Sequence, residues 1–530
     1  MSNSNVPSLS RKLNFQLSLM MFLQYAIWGA WLPLLWPYLK SNLGFTGNEI
    51  GHMFAIGAVG AIFAPLIGGQ IADRYFSTEK YLGVAHLLGA LLVWQLPHLS
   101  GYWSFLLFSF LYSLVYSPTL PLTNSLSFHH LPDRDRDFGK VRLWGTLGWI
   151  VVGIGIGQWL LASWTPNAQE PAPGVSIERI LNNPEEGSKA AIAANPKQLG
   201  AILNPALIAK SRSSTLEALL KARELAIPTR SVGEGSEARQ ALDENKAKLA
   251  LALPEAELQK ELAKGLGKSI QGAAQHKGMG DAFRLSAILG LLMGLWCFFF
   301  LPKTPPSREE KESAIGRALR EIKLQPLLTL FLLAVPVSCI HQFYFVHTAG
   351  FLGSYQLEAA STINQLFGVG GGGLMTIGQM MEILVLGLIP LVAKKLSRKS
   401  LLAIGLMAYA ARMALFAYVD LIPLPVIATL ILGVALHGFC FGCFIFVSFM
   451  IVDEESTGDV RASAQSLYNL VIIGIGIIVG SMIAGSVAEW AKTASGATDY
   501  RALFSVPMWA ALACLLILLL AYPKASKQRQ

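Results

Sequence analysis

Charge is scarce in this chain. Asp, Glu, Lys and Arg make up 14% of its 530 residues, against roughly 25% in an ordinary soluble domain. With 53% hydrophobic residues and a mean hydropathy of +0.48, that deficit excludes a disordered chain, a coiled coil and a soluble enzyme of usual composition. Cysteine is scarce too. Cys297, Cys339, Cys440, Cys443 and Cys514 all lie in apolar runs, which excludes a disulfide scaffold. Cys440 and Cys443 have a metal-like spacing but no second pair and no polar setting, so they read as packing thiols and no metal is expected. Catalytic signatures are missing as well. Gly370 to Gly373 form a glycine run without a following Lys-Ser or Lys-Thr, so it is no phosphate loop. No nucleophile, base and oxyanion set stands out, and neither enzyme activity nor a cofactor is expected. Nor does a cleavable signal stand out: the polar stretch ending in Arg11 and Lys12 leads into an apolar run too long for a signal-peptide core.

What is present is apolar length. A spanning helix needs about 20 mainly apolar residues. Such runs fall at 15–38, 50–72, 81–97, 102–125, 143–163 and 283–301, then at 327–352, 371–393, 400–419, 424–451, 463–488 and 502–522. Each is rich in Gly and nearly free of charge, as lipid-embedded helices must be. The expected fold is an all-α membrane protein of twelve transmembrane helices in two six-helix bundles. Spans one to five occupy 1–163, a polar insertion 164–282, span six 283–301, a charged linker 302–325, and spans seven to twelve 326–530.

The net charge is +9, from 42 Lys and Arg against 33 Asp and Glu. Its distribution speaks for membrane topology, not for nucleic acid. With the N-terminus inside, the inner connections gather Arg11, Lys12, Arg74, Lys80, Arg134, Arg136, Lys140, Arg142, Lys394, Lys395, Arg398, Lys399, Arg461 and the basic residues of the linker and C-terminus. The short outer connections hold only Lys40, Lys492 and Arg501. This is a strong positive-inside signal and places both termini in the cytoplasm. Residues 164–282 then lie outside. They carry 15 Lys and Arg against 14 Asp and Glu, and long loops translocate regardless of charge. Prolines punctuate their first third, and helical spacing recurs in 205–227, 236–253 and 254–270, so a loop followed by two or three amphipathic helices is expected. It reads as an outer appendage, with an unidentified partner left open.

Polar groups at membrane depth carry the function of such a protein, because each costs at least about 2.5–3.5 kcal/mol at the bilayer centre. Glu382 stands out. The basic end of its span is marked by Lys394, twelve residues on, which puts Glu382 about 18 Å into a ~30 Å core. Removal from water favours the neutral, proton-carrying carboxyl. Gln379 shares its helix face at three residues' distance. Arg412 sits at mid-depth in span nine and is expected to be a structural partner of a carboxylate or part of the cavity wall. Arg142 lies at the inner end of span five, followed on its face by Thr146 and Trp149. Span seven offers His341, Gln342, Tyr344, Phe345 and His347, of which Gln342 and Phe345 share a face. Span ten offers His437 and Phe441 one turn apart, span four the kinked Pro118 to Asn124, and span one Gln24, deep enough to reach a cavity, with Trp36 a candidate for the interfacial belt.

Gly69, Ala72, Asp73 and Arg74 resemble the signature loop of the major facilitator superfamily, in which Asp and Arg latch helix ends. A narrower resemblance runs through both halves. Phe22, Leu23, Gln24, Trp28, Gly29 and Trp31, then Pro118, Thr119, Leu120, Asn124 and Ser127, then Arg142, Trp144, Gly145, Thr146 and Gly148 are similar to the nucleoside:proton symporter family. So are Gln379 and Glu382, Arg412 with Leu415 to Tyr418 and Asp420, and Arg461 to Gln465. The resemblance implies uptake of nucleosides down a proton gradient across a bacterial inner membrane. It implies a substrate held between the halves by Arg142, Thr146, Trp149, Gln342, Phe345, Gln379, Glu382, His437 and Phe441. His437 falls where family members can have Tyr, and Gly442 where an Asp can follow the Phe, which leaves Glu382 as the main proton carrier. Phe345 replaces a polar residue, and the insertion has no counterpart. Two other readings remain open: a proton-coupled permease for a sugar or another small metabolite, and a membrane receptor or scaffold that works through 164–282.

Overall fold

The computed structural model describes all residues except 1–7, 65–75, 224–239, 241–242, 246–247, 249–252, 306–314, 358–360, 393–394, 458–459, 494–495 and 524–530. Among the described residues the chain is helical, and strand pairing is confined to two isolated bridges. Ten helices among the described residues are long and apolar enough to cross a membrane. In the first half, span one runs from Arg11–Trp31 through a tightened and then a widened turn to Asn42. Span four is Tyr102–His130, span five Arg134–Trp164 and span six Gly280–Phe299. The expected spans two and three are the 18-residue helices Gly47–Ala64 and Thr78–Gln95. The run expected over 50–72 includes residues 65–72, which lie outside the described residues, and Glu79, Lys80 and His86 dilute the apolar character of span three, so ten strongly apolar helices are found among the described residues. The second half holds Leu327–Gln356, Gly372–Val392, Arg398–Ala417, Val426–Glu455, Ser463–Trp490 and Tyr500–Ala521, spans seven to twelve. Large apolar side chains at helical spacing stay exposed, such as Leu512, Leu516 and Leu520 of span twelve and Val84, Leu88 and Leu91 of span three. Such stripes face lipid, where exposure carries no hydrophobic penalty.

Glycine lets spans one and five approach to backbone distance. A Cβ at Gly148 would stand 2.2 Å from the Phe22 carbonyl oxygen, and one at Gly29 would stand 2.9 Å from the Trp149 ring. The contact therefore seats Trp149 as well as joining two helices.

The insertion differs from its expected form. Its first third is helical, as Ile177–Asn182, Pro184–Ala194 and Pro196–Leu199. Pro184 and Pro196 open helices where loop-breaking prolines were expected, because the first helical position needs no N–H donor. Pro205–Ala222 matches the helix expected over 205–227, whereas most of the 236–253 helix lies outside the described residues. The insertion has an apolar core of its own around Ile180, Ala191, Leu199, Leu203, Leu266 and Ile270. Its last helix, Glu255–Gly278, runs into span six after Met279. Trp164 anchors it: Gly278 packs against the indole, Lys197 and Lys277 lie 5.3 and 5.7 Å from the ring, and the indole N–H donates to Asp281 at 2.8 Å.

On the insertion side, the two halves touch repeatedly. Val369 N donates to the Gly157 carbonyl at 3.0 Å, and Gln158 donates to the Gln365 carbonyl at 2.6 Å. Gly368, Gly370 and Gly371 all have φ between +71 and +85°, and a Cβ at Gly368 would lie 2.0 Å from Gly157 C, so this glycine run is what lets span eight's entry loop reach span five. Glu489 accepts from Gly47 N at the start of span two and pairs with Lys40 at 3.5 Å, while Ser486 donates to Asn48 at 2.9 Å. Trp36, expected at the lipid interface, is 6% exposed and meets His347 edge-on at 4.2 Å, because the first half's outer end abuts span seven there. At the opposite end the linker is tied to each half in turn: Thr304 N donates to Glu79 and Thr304 Oγ1 meets His130, while Glu321 accepts from Thr457. Asp73 and Arg74 lie outside the described residues.

Two outcomes are expected. Gly148→Val should cost about 1–3 kcal/mol of stability by overpacking, read as a lower midpoint in thermal size-exclusion analysis of detergent-purified protein; an unchanged midpoint would contradict the packing. Cysteines replacing Asn48 and Ser486, once cross-linked, should hold the insertion side shut and stop transport until reduced. Full transport by the cross-linked protein would show that this side need not part.

Candidate substrate site

Span five places three side chains on the face that looks across the cleft. Its helix begins at Arg134, so Arg142 lies two turns inside it and not at its end, where hydropathy alone had placed it. The guanidinium carbon sits 4.1 Å from the centre of the Tyr25 ring, and the absence of a side chain at Gly145 leaves room for that pair. The half-buried Thr146 follows one turn on. Trp149 packs edge-on to Trp28 at 5.7 Å and to Phe345 of span seven at 6.4 Å, so its indole is where the halves meet at depth.

Spans seven, eight and ten supply the opposite wall. Glu382 keeps 17% of its side chain exposed, and its Oε2 is 3.7 Å from His437 Nε2. Gln379 is buried, and its side-chain oxygen has no hydrogen-bond partner, an expensive state unless a ligand or water completes it. Phe441 is half-buried within the widened turn Cys440–Phe446 of span ten. Such π-helical turns are rare and recur at functional sites. Trp149, Phe345, His437 and Glu382 thus form one connected set, with Arg142, Thr146, Gln379 and Phe441 on the neighbouring turns.

Gln342 departs from its expected place. Its amide donates to Ser481 of span eleven at 3.0 Å, which turns it into the second half. Gln24 departs further. Fully buried, it donates to Thr119 at 2.8 Å and meets His86 at 2.9 Å, so it braces the first half and does not reach the cleft. His347 contacts the Ala484 carbonyl at 3.1 Å as a packing group. Arg412 is fully buried, yet no carboxylate answers it among the described residues. Tyr344 and Tyr409 face its guanidinium at 4.3 and 5.1 Å, and His437 accepts from it at 3.1 Å. The two tyrosines went unassigned in the sequence. Their signal was spacing, since Tyr409 precedes Arg412 by one turn and Tyr344 follows His341 by one turn. Cys440 and Cys443 are buried free thiols.

A family model described as Nucleoside H+ symporter matches residues 11–169 and 270–527, leaving out most of the insertion. The putative nucleoside transporter YegT of Escherichia coli (strain K12) is 27% identical over 486 residues, which is 90% of this chain and 85% of that protein. The nucleoside permease NupG of the same organism is 24% identical over 498 residues, covering 93% and 92%. Its xanthosine permease is 23% identical over 499 residues, covering 93% and 91%. The crystal structure of the nucleoside transporter NupG superposes with a TM-score of 0.66 at 20% identity, over 96% of this chain and 98% of that one. The two chains therefore share one fold. With both halves matched and a polar set lodged between them, the chain belongs to the nucleoside H+ symporter family.

Proposed function

We propose that this protein imports nucleosides together with protons, by alternating access of a site between its two halves. The observation that carries the reading is the run of contacts from Trp149 of span five through Phe345 of span seven to His437 and Glu382, which joins the two halves at depth beneath a closure on the insertion side. An indole from one half and the His437–Glu382 pair of the other come together only where the halves face each other, and an ionisable group at that depth marks a substrate or proton path. The chemistry fits a nucleoside. A base offers a flat π-face to Trp149 or Phe441. Its edge suits the unpartnered amide oxygen of Gln379, which accepts from an exocyclic amine or ring N–H. Ribose hydroxyls suit Arg142, which donates to them, and Glu382, which accepts from them. Gln342 serves as a brace to span eleven, and Phe345 closes the aromatic wall beside Trp149.

The basic linker and the inner connections belong on the cytoplasmic side of a bacterial inner membrane, with the insertion in the periplasm. In that orientation the closed side of the cleft is the outer one. Binding of a proton to Glu382 removes the charge that Arg142 answers, which couples its occupancy to the rocking of one half against the other. The proton gradient is the only driving agent required, and the substrate the only partner in the cleft besides the bilayer around the spans.

Proteoliposomes loaded at neutral pH and placed in an acidic medium should accumulate labelled uridine or adenosine, and disaccharides should not compete. Competition by sugars alone would remove the nucleoside reading. Glu382→Gln should abolish accumulation against a gradient while some exchange persists, and undiminished accumulation would remove Glu382 from the coupling step. Phe441→Ala should weaken uridine binding roughly tenfold, the scale of one lost base–aromatic stack. Calorimetry that returns wild-type affinity would argue against stacking at that position.

A further inference from the structure

Behind Glu382, on the second half's side, lies a buried cation that no acid answers among the described residues. Arg412 keeps its charge, since a guanidinium does not deprotonate in proteins. The faces of Tyr344 and Tyr409 stabilise that charge in part. Its Nε and Nη2 have no partner, so its single hydrogen bond, Nη1 to His437 Nδ1 at 3.1 Å, is the one directional contact the group makes. That bond has only one polarity. Arg carries donors and no acceptor, so Nδ1 must accept. A neutral imidazole that accepts at Nδ1 carries its proton on Nε2. Nε2 is the atom facing Glu382 Oε2, at 3.7 Å.

We propose that Arg412 is a positioning residue that fixes the tautomer of His437, so that the ring presents a standing Nε2–H donor to Glu382 and to the substrate space beside it. The inference rests on Glu382 being part of the substrate site. Every group packed on the ring agrees with it. From span seven, Tyr344 stacks at 4.7 Å with 17° between planes, and His341 stacks at 5.4 Å with 26°. These two rings hold the imidazole plane so that its nitrogens lie on a line from Arg412 to Glu382. His341 does not compete for that line, because its own Nδ1 is engaged by the Tyr409 hydroxyl at 2.6 Å. Span nine contributes Arg412 and Tyr409, span eight Glu382, and span ten Cys440, a buried free thiol. A second proton on His437 would have to sit on Nδ1 and point at the guanidinium, so the ring is a donor and not a carrier of protons. Arg412 thereby gives a histidine the fixed donor polarity that a phenol hydroxyl can adopt by rotating. At 3.7 Å the donor stands just beyond hydrogen-bond length from Glu382, close enough for the carboxylate to exchange between His437 and a substrate hydroxyl by a small side-chain rotation.

The test is a tautomer measurement on the whole protein in lipid nanodiscs, with ¹⁵N-labelled histidine and no substrate. His437→Tyr identifies the His437 signal by its disappearance. The wild-type spectrum should show an unprotonated Nδ1 and a protonated Nε2, unchanged from mildly acidic to neutral pH. Arg412→Lys should keep that pattern, and Arg412→Met should give mixed tautomers that titrate. Arg412→Met should also raise the apparent KM for uridine about tenfold, the scale of one lost charge-assisted hydrogen bond, and should raise it no further in the His437→Tyr background. A wild-type signal with the proton on Nδ1, a wild-type ring that titrates, or an Arg412→Met spectrum like wild type would each overturn the proposal. So would an equal KM increase from Arg412→Met in the His437→Tyr background. The wild-type spectrum alone is decisive if Arg412→Met folds poorly. A protein with the expected tautomer but no uridine uptake would uphold the tautomer assignment and refute the nucleoside reading.

Discussion

A carboxyl placed deep in hydrocarbon must be met by polar partners, and the arrangement of the spans around Glu382 follows from that requirement. One half brings Arg142, held over Tyr25 by the closeness that Gly145 permits. The other brings His437, aligned by the rings stacked on it. Neither half satisfies Glu382 alone, so its environment is a function of how the halves stand to each other. That dependence is what alternating access needs: in the proposed coupling, a carboxyl that exchanges a proton changes partners when the halves move.

The asymmetry of the contacts between the halves has the same logic. Small residues carry the insertion-side closure, as Gly157 meets Gly368 and Gly47 approaches the Gly485 backbone. A closure made by backbones with few long side chains can part without leaving many buried polar groups stranded. The charged exceptions, Lys40, Lys492 and Glu489, sit near the water boundary, where separation costs least. At the opposite end, the linker's Thr304 and Glu321 are each tied to a different half.

Much of this was legible in the sequence. The length of the apolar runs gave both halves, because an uninterrupted apolar run of about 20 residues satisfies its own backbone in lipid as a helix. Glu382 was legible because a single charge costs too much in a long uncharged run unless a polar path passes it. The orientation of individual polar side chains was not. Gln342 and Gln24 both carry amides at suitable depth, yet Ser481 captures the first and Thr119 with His86 the second. Nothing local in a sequence states which neighbouring helix will supply such a partner. For Arg412, depth allowed a carboxylate partner or a place in the cavity wall, and two tyrosine faces with a histidine nitrogen receive it. The insertion was misread at its prolines, whose meaning depends on whether they open a helix or interrupt one.

The junction at Met279 gives the insertion a mechanical character. Glu255–Phe299 is helical over 45 residues, about 68 Å if straight, and Trp164 clamps its middle to span five. The outer arm is thereby geared to the first bundle, while Gly272 brushes Leu357 of the second. Tilting one bundle would sweep the arm's far end through a wider arc than the space between the halves traverses, so a shift too small to follow at the substrate would be magnified at the tip of the insertion.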